Sequence, residues 1–175
     1  MRRHVRGTLG ALLAIGIALA VSAPAAAQTS GNETFSGVIV TSGLSGTRVV
    51  VSSVVVAKGV FNGVGRVVEV QNLPGDPDNV SRDDLVFADG TLHIVSTTLD
   101  FSVSLNPRSC TGTATLQQTG MVVGGTGQFA AASGSYTATV TGRAVLARNP
   151  DGSCSVEQAP LHEVDMIASS GSLSF

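Results

Sequence analysis

A glycine-rich segment over residues 122–134 is the feature that most restricts what this chain can fold into. Its defining residues are Gly124, Gly125, Thr126, Gly127, Phe129 and Gly134. Glycine concentrates where the backbone needs a positive φ or where two segments approach closely. Residues 111–123 and 135–146, on either side, are rich in Val and Thr and are predicted strands. We therefore predict a tight corner between two long antiparallel strands, with Phe129 folded back as a plug.

The rest of the chain carries further strand patterns and no sustained helical periodicity. The other predicted strands are residues 35–41, 47–57, 60–70, 85–88, 91–96, 101–105, 156–168 and 172–175. Asp89-Gly90 is a strong two-residue hairpin signal. Residues 28–32 are predicted to be a loose lead, and residues 72–84 a long polar loop. Short strands at regular spacing predict an all-β barrel or sandwich.

The segment Val-Val-Gly-Gly-Thr-Gly-x-Phe over residues 122–129 resembles the dirigent and allene-oxide-cyclase-like barrel family. Residues 87–93 and 171–175 are similar to segments of secreted bacterial relatives. The resemblance covers most of the chain after residue 27 and implies a single eight-stranded antiparallel barrel of the calycin type. It does not imply one activity, because related barrels include cyclases, stereochemical guides of radical coupling and proteins of no known role.

The resemblance also bears on catalysis. Dirigent members active in coupling often carry an acid at the position of Gln128 and an arginine at that of Ser133. Both departures remove charged groups that could protonate or orient a quinone-like intermediate, and this argues against a retained dirigent activity.

Residues 1–27 have the pattern of a secretory signal peptide. Three arginines among the first six residues precede 13 apolar residues, 9–21, and a run of small residues ends at a predicted cleavage site after Ala27. Thirteen apolar residues are too few for a spanning helix, which needs about 20. We therefore predict an exported protein in which residues 28–175 form one domain.

Composition excludes several partner classes. Without its first 27 residues the chain has seven basic and twelve acidic residues, a net charge of −5. This balance argues against nucleic acid and against anionic membrane surfaces as partners. Six Phe, one Tyr and no Trp also leave few of the aromatic platforms that stack on single-stranded nucleic acid or sugars.

Cys110 and Cys154 are the chain's two cysteines, and an even count in an exported protein favours a disulfide. The predicted strand directions place both at one end of the barrel, opposite the glycine-rich corner. Strands two apart are separated by roughly 9.6 Å, more than the ~4.4–6.8 Å between Cα atoms that a disulfide tolerates. The bond therefore requires at least one cysteine off the ladder, and Pro107 and Gly152 make this plausible. Its loop of 44 residue steps would contribute about 4 kcal/mol in the chain-entropy model.

Motifs for cofactors and metals are weak. Residues 125–130 fit the G-x-G-x-x-G/A dinucleotide pattern, but a strand rather than a helix is predicted to follow. His93 and His162 lack metal-ligand spacing, and His162 and Asp165 should lie on opposite strand faces. The acids of residues 76–84 lack the calcium-loop pattern and are predicted to be a solvated loop. We expect no cofactor and no bound metal.

The sequence assigns no catalytic residue. Glu69, Arg66, Arg143 and Tyr136 are strand residues that could face the lumen. The leading hypothesis is a secreted, non-catalytic barrel that binds a small apolar ligand and that could form a homo-oligomer. The first alternative is an allene-oxide-cyclase-like isomerase or cyclase, which needs an open cavity with buried polar groups of perturbed pKa, or a dirigent-like guide of coupling. The second alternative is a structural cell-surface protein.

Overall fold

Eight strands pair in chain order, and the last strand closes on the first to give a barrel. The computed structural model describes residues 28–175, so the predicted signal peptide lies outside the described residues. The strands are β1 (Ser30–Ser42), β2 (Val49–Gly59), β3 (Asn62–Val70), β4 (Val80–Phe87), β5 (Gly90–Asn106), β6 (Thr111–Gly125), β7 (Ser133–Val145) and β8 (His162–Ser174). Every neighbouring pair is antiparallel. A single 3₁₀ turn, Gly127–Phe129, joins β6 to β7.

Residues 28–175 contain no helix long and apolar enough to cross a membrane.

The two-residue period of the strands decides which side chains fill the interior. Leu92 is fully buried and its neighbour His93 faces outward. The unbroken valine run of residues 49–51 also follows this rule, because Val50 is half-buried between the exposed Val49 and Val51. The pairing of β1 with β2 then skips Val51, and this bulge leaves Val51 and Ser52 both exposed.

Several predicted boundaries were wrong. Residues 28–32 are not a loose lead, since β1 begins at Ser30 and pairs with Ser174. Residues 80–84 belong to β4 rather than to the polar loop, and residues 156–161 precede β8 instead of forming its start. The predicted strands 91–96 and 101–105 are one continuous strand with a bulge at Leu99. The hairpin between β4 and β5 is correct, although its two turn residues are Ala88 and Asp89.

One end of the barrel is filled by phenylalanine. Phe61, in the β2–β3 turn, packs against four other rings at centroid distances from 4.9 to 6.4 Å: Phe35, Phe87, Phe129 and Phe175. The buried Glu33 carboxylate accepts a hydrogen bond from the Phe61 backbone N–H at 3.1 Å. Edge-to-face and tilted ring pairs of this kind contribute packing energy beyond their buried area. The cluster is the floor of the barrel interior.

The glycine-rich corner anchors this floor. Phe129 is fully buried, and Gly124 and Gly127 have φ values of 126° and 60°. A Cβ on Gly127 would lie 2.3 Å from the Asp89 carbonyl oxygen, so the corner packs directly on the β4–β5 turn. Positive φ and close backbone approach are the two reasons to expect glycine here.

A disulfide joins Cys110 and Cys154 at the other end of β6. Their Cα atoms are 5.4 Å apart, within the range that a disulfide requires. Both cysteines lie outside the main ladder, because Cys110 occupies the β5–β6 turn with φ 52° and Cys154 forms an isolated bridge with Arg148. The bond thus ties the β7–β8 connection to the β5–β6 turn.

The floor gives a stability prediction. Phe129→Ala should lower the free energy of unfolding by about 3–5 kcal/mol, because it leaves a cavity beside the three rings that pack on Phe129. Urea unfolding with the disulfide intact measures this. Leu44→Ala is the control, since Leu44 is 79% exposed and its truncation should change stability by less than about 0.5 kcal/mol. Equal effects of the two substitutions would contradict the assignment of the core.

Candidate functional site

A cavity of about 70 Å³ lies above the phenylalanine floor. Most of its wall is aliphatic or aromatic: Phe35, Ile39, Val55, Val67, Leu85, Ile94, Ala138, Val140 and Ile167. The cavity continues into a wider mouth of about 310 Å³, with which it shares Ile39, Asp83, Gln118, Val140 and Ile167. The barrel is therefore closed at one end and accessible from the other.

A polar strip on β5, β6 and β7 interrupts this apolar wall. The Tyr136 hydroxyl and the Ser96 hydroxyl share a hydrogen bond of 2.7 Å. Gln118 Nε2 donates to Thr98 Oγ1 at 3.2 Å. Burial raises the pKa of the Tyr136 phenol, although its hydrogen bond with Ser96 acts in the opposite direction. The phenol is thus a neutral hydrogen-bonding group inside the cavity.

Glycine places the tyrosine ring. Gly120 on β6 lies directly opposite Tyr136 on β7. A Cβ at position 120 would be 2.2 Å from a ring carbon of Tyr136, so the ring lies flat over the glycine backbone. An aromatic ring over a strand glycine covers the backbone that the missing side chain leaves bare.

Asp83 is the acid of the cavity. It lies on β4 with Leu85 and Phe87 at two-residue spacing, and this places all three on the inner face. Burial raises the pKa of the Asp83 carboxyl to about 6, and the nearby Glu69 adds to the increase, while Arg48 opposes it. A carboxyl with such a pKa exists in both protonation states near neutral pH.

Arg48 crosses the mouth from the β1–β2 loop. Its guanidinium contacts Glu69 on β3, Glu163 Oε2 at 3.2 Å and Asp165 Oδ2 at 3.5 Å on β8. Burial disfavours the charge on Arg48, but Glu69 and Glu163 outweigh this effect and raise its pKa. One side chain therefore connects the β1–β2 loop, β3 and β8 across the opening.

The mouth nevertheless carries an excess of acid. Burial, with a further contribution from Glu163, raises the pKa of Asp165 to about 6 despite the Arg48 contact. Two arginines lie at the mouth, and Arg82 is already paired with Asp76. Arg48 alone therefore balances four acids: Glu69, Asp83, Glu163 and Asp165. The entrance favours neutral or positively charged molecules over anions.

The four strand residues nominated from sequence divide into two pairs. Tyr136 lines the cavity and Glu69 lines the mouth. Arg66 and Arg143 border shallow surfaces outside the barrel. The structure therefore brings Tyr136 and Glu69 to the interior and leaves both arginines outside.

His93 and His162 lie outside the lumen. His93 Nδ1 is 2.6 Å from Asp84 Oδ1, its partner across the β4–β5 ladder. His162 lies on the outer face, whereas Asp165 faces the mouth, as the strand period predicts. No group of three or more potential metal ligands occurs within residues 28–175.

The predicted acidic loop does not exist as one unit, and this expectation was wrong. Asp76 pairs with Arg82, whose Nε is 2.7 Å from Asp76 Oδ2. Asp83 and Asp84 lie on opposite faces of β4, one in the cavity and one beside His93. The sequence signal for Asp83 was its two-residue spacing from Leu85 and Phe87, which the loop assignment obscured.

No family model, curated protein or solved structure matches this chain in comparisons with known proteins.

The raised pKa of Asp83 predicts a pH effect on stability. Its value of about 6 in the folded protein exceeds the ordinary 3.8, so the folded state binds protons more tightly than the unfolded state. The stability contributed by the neutral carboxyl is fully present below pH 3.8 and is lost as pH rises through about 6. Asp83→Asn should match the parent protein near pH 4 and exceed it at pH 7.5 by up to about 3 kcal/mol.

Urea unfolding at the two pH values measures this difference. Asp78→Asn, in the exposed β3–β4 loop, is the control and should give the same small change at both. A pH-independent effect of Asp83→Asn would contradict the burial of a titrating carboxyl in the cavity.

Proposed function

We propose that this protein is a secreted, non-catalytic barrel that binds a small, mostly apolar molecule in its interior. The observation that carries the proposal is the apolar cavity that opens at one end into the mouth. Cavity and mouth together reach the size of small-molecule sites, a few hundred Å³. Eight-stranded barrels either fill their interior or leave room for one small ligand. The cavity also argues against the purely structural alternative.

Export is part of the proposal. The disulfide between Cys110 and Cys154 is consistent with an oxidising compartment, as is the signal-peptide pattern of residues 1–27. The closed barrel and the positive-φ corner support a place among the dirigent and allene-oxide-cyclase-like barrels. Fold likeness alone does not select an activity, so the ligand class rests on the cavity.

The cavity chemistry defines the ligand. Its aliphatic wall accepts an alkyl or ring body, and the Tyr136–Ser96 pair offers hydrogen bonds to a single hydroxyl or carbonyl. The acid excess at the mouth disfavours a carboxylate. We expect a neutral alcohol or ketone to bind better than a carboxylic acid of the same length.

Ligand binding has a built-in reporter, because Tyr136 is the only tyrosine and the chain has no tryptophan. Titration with hexan-1-ol should change Tyr136 fluorescence, and hexanoate at pH 8 should do so more weakly. Ala138→Phe should weaken binding by at least about tenfold by filling the cavity. Thr137→Phe adds the same ring to the outer face of β7 and should leave binding unchanged. Equal binding by both variants would place the ligand outside the barrel.

A proton-transfer isomerase is the second candidate, and the raised pKa of Asp83 in the Tyr136 cavity favours it. A carboxylate with a pKa near 6 can remove a proton from carbon next to a carbonyl at neutral pH. The neutral Tyr136 phenol can donate a hydrogen bond to the developing enolate oxygen. This arrangement meets the requirement for an open cavity with buried polar groups of perturbed pKa.

Deuterium exchange separates the two candidates. Cyclohexanone in D₂O should lose its α-proton NMR signals faster with the protein than without it, and Asp83→Asn should abolish the acceleration. Asp78→Asn should retain it. Binding of cyclohexanone, seen through Tyr136, without accelerated exchange would leave the non-catalytic barrel as the function.

A further inference from the structure

One stretch of β5 has a neighbour on one side only. Pairing between β4 and β5 stops at Val80 and Thr97. Two last hydrogen bonds join Thr98 to Asn79: the Thr98 N–H donates to the Asn79 carbonyl at 2.8 Å, and Asn79 Nδ2 donates to the Thr98 carbonyl at 3.0 Å. Beyond them, Leu99 is the bulge residue, and residues 100–106 pair with β6 alone. No strand within residues 28–175 pairs with the other side of this segment. Although the barrel is closed, β5 extends past the end of β4 and has a free β-edge there.

This β5 edge, residues 99–106, has little protection, because its bulge lies at its first residue, Leu99, and the rest of it is regular strand. Its sequence is Leu-Asp-Phe-Ser-Val-Ser-Leu-Asn, with one charge and neither proline nor lysine. Four apolar side chains on it are exposed: Leu99 by 68%, Phe101 by 59%, Val103 by 60% and Leu105 by 37%. Natural edges are usually short, charged, bulged or covered, because free N–H and C=O groups are a template for another strand.

We propose that the β5 edge pairs antiparallel with the β5 edge of a second copy of this chain, across a two-fold axis at Val103. An antiparallel strand is complementary to its own copy, as an isologous contact requires. In this register Phe101 of each copy lies opposite Leu105 of the other, and Ser102 lies opposite Ser104. The exposed apolar side chains thus meet one another, and the small polar ones do likewise.

The charges near the edge select this register. Asp100 is the edge's single charge, and Arg108 follows its last residue by two positions. The two-fold places Asp100 opposite Asn106, at the end of the strand where the β5–β6 turn of the second copy carries Arg108. Pro107 has no N–H and ends the ladder between them. Each end of the paired segment then brings an acid of one copy near a base of the other.

The interface is small, so the dimer should depend on concentration. Sedimentation velocity between about 1 and 500 µM should show a monomer–dimer equilibrium for residues 28–175. Val103→Lys should shift it at least about tenfold toward monomer, because two like charges then meet across the axis. Val123→Lys, at an exposed valine outside the β5 edge, is the matched control and should dimerise like the parent protein.

Crosslinking tests the register. Opposed residues have Cβ atoms roughly 4.5–5.5 Å apart, close to the ~3.5–4.5 Å of a disulfide. Val103→Cys should therefore form a covalent dimer under mild oxidation, whereas Val123→Cys should not. A monomer at every concentration, or equal crosslinking of the two variants, would overturn the proposal. So would a protein that stays monomeric but binds extended peptides of unrelated sequence, since the edge would then serve a different partner.

Discussion

Closure of the sheet between β1 and β8 is the constraint on which the interior depends. Those strands pair from Ser30 opposite Ser174 to Thr41 opposite Glu163, so the register of the closing seam is continuous. Once eight strands form a closed barrel, every second side chain along each strand points into a lumen of nearly fixed width. Large rings fill that width at the floor, whereas smaller side chains such as Ala138 and Ser169 leave it open above.

The open part of the lumen has a cost in electrostatic energy. Burial of Asp83 and Asp165 disfavours their charged forms, and Arg48 compensates only in part. Phe or Leu in place of these acids would fill the space and remove the cost, as buried ion pairs replaced by apolar groups often show. A titrating carboxyl beside an apolar cavity is an arrangement more typical of functional sites than of packed interiors.

Local sequence patterns predicted the features that depend on residues close together in the chain. The glycines of the corner, the Asp89-Gly90 hairpin and the even cysteine count could be recognised without knowing the pairing. The mouth could not, because Arg48, Glu69 and Asp165 lie on a loop, β3 and β8, and only the register of a closed sheet brings them together. Asp83 lies between these cases: its spacing from Leu85 was visible, but the adjacent acids and proline favoured a loop.

Two successive segments of β5 form part of the cavity wall and the β5 edge. Ile94 and Ser96 line the cavity, whereas Val103 lies beyond the last residue that β4 covers. The bulge at Leu99 separates the two segments, and such bulges bend a strand and increase its twist. Phe101 lies opposite Leu116, which lines the mouth. A second copy bound at the β5 edge would therefore stand beside the entrance, and its apolar side chains would extend the surface over which a ligand approaches the barrel.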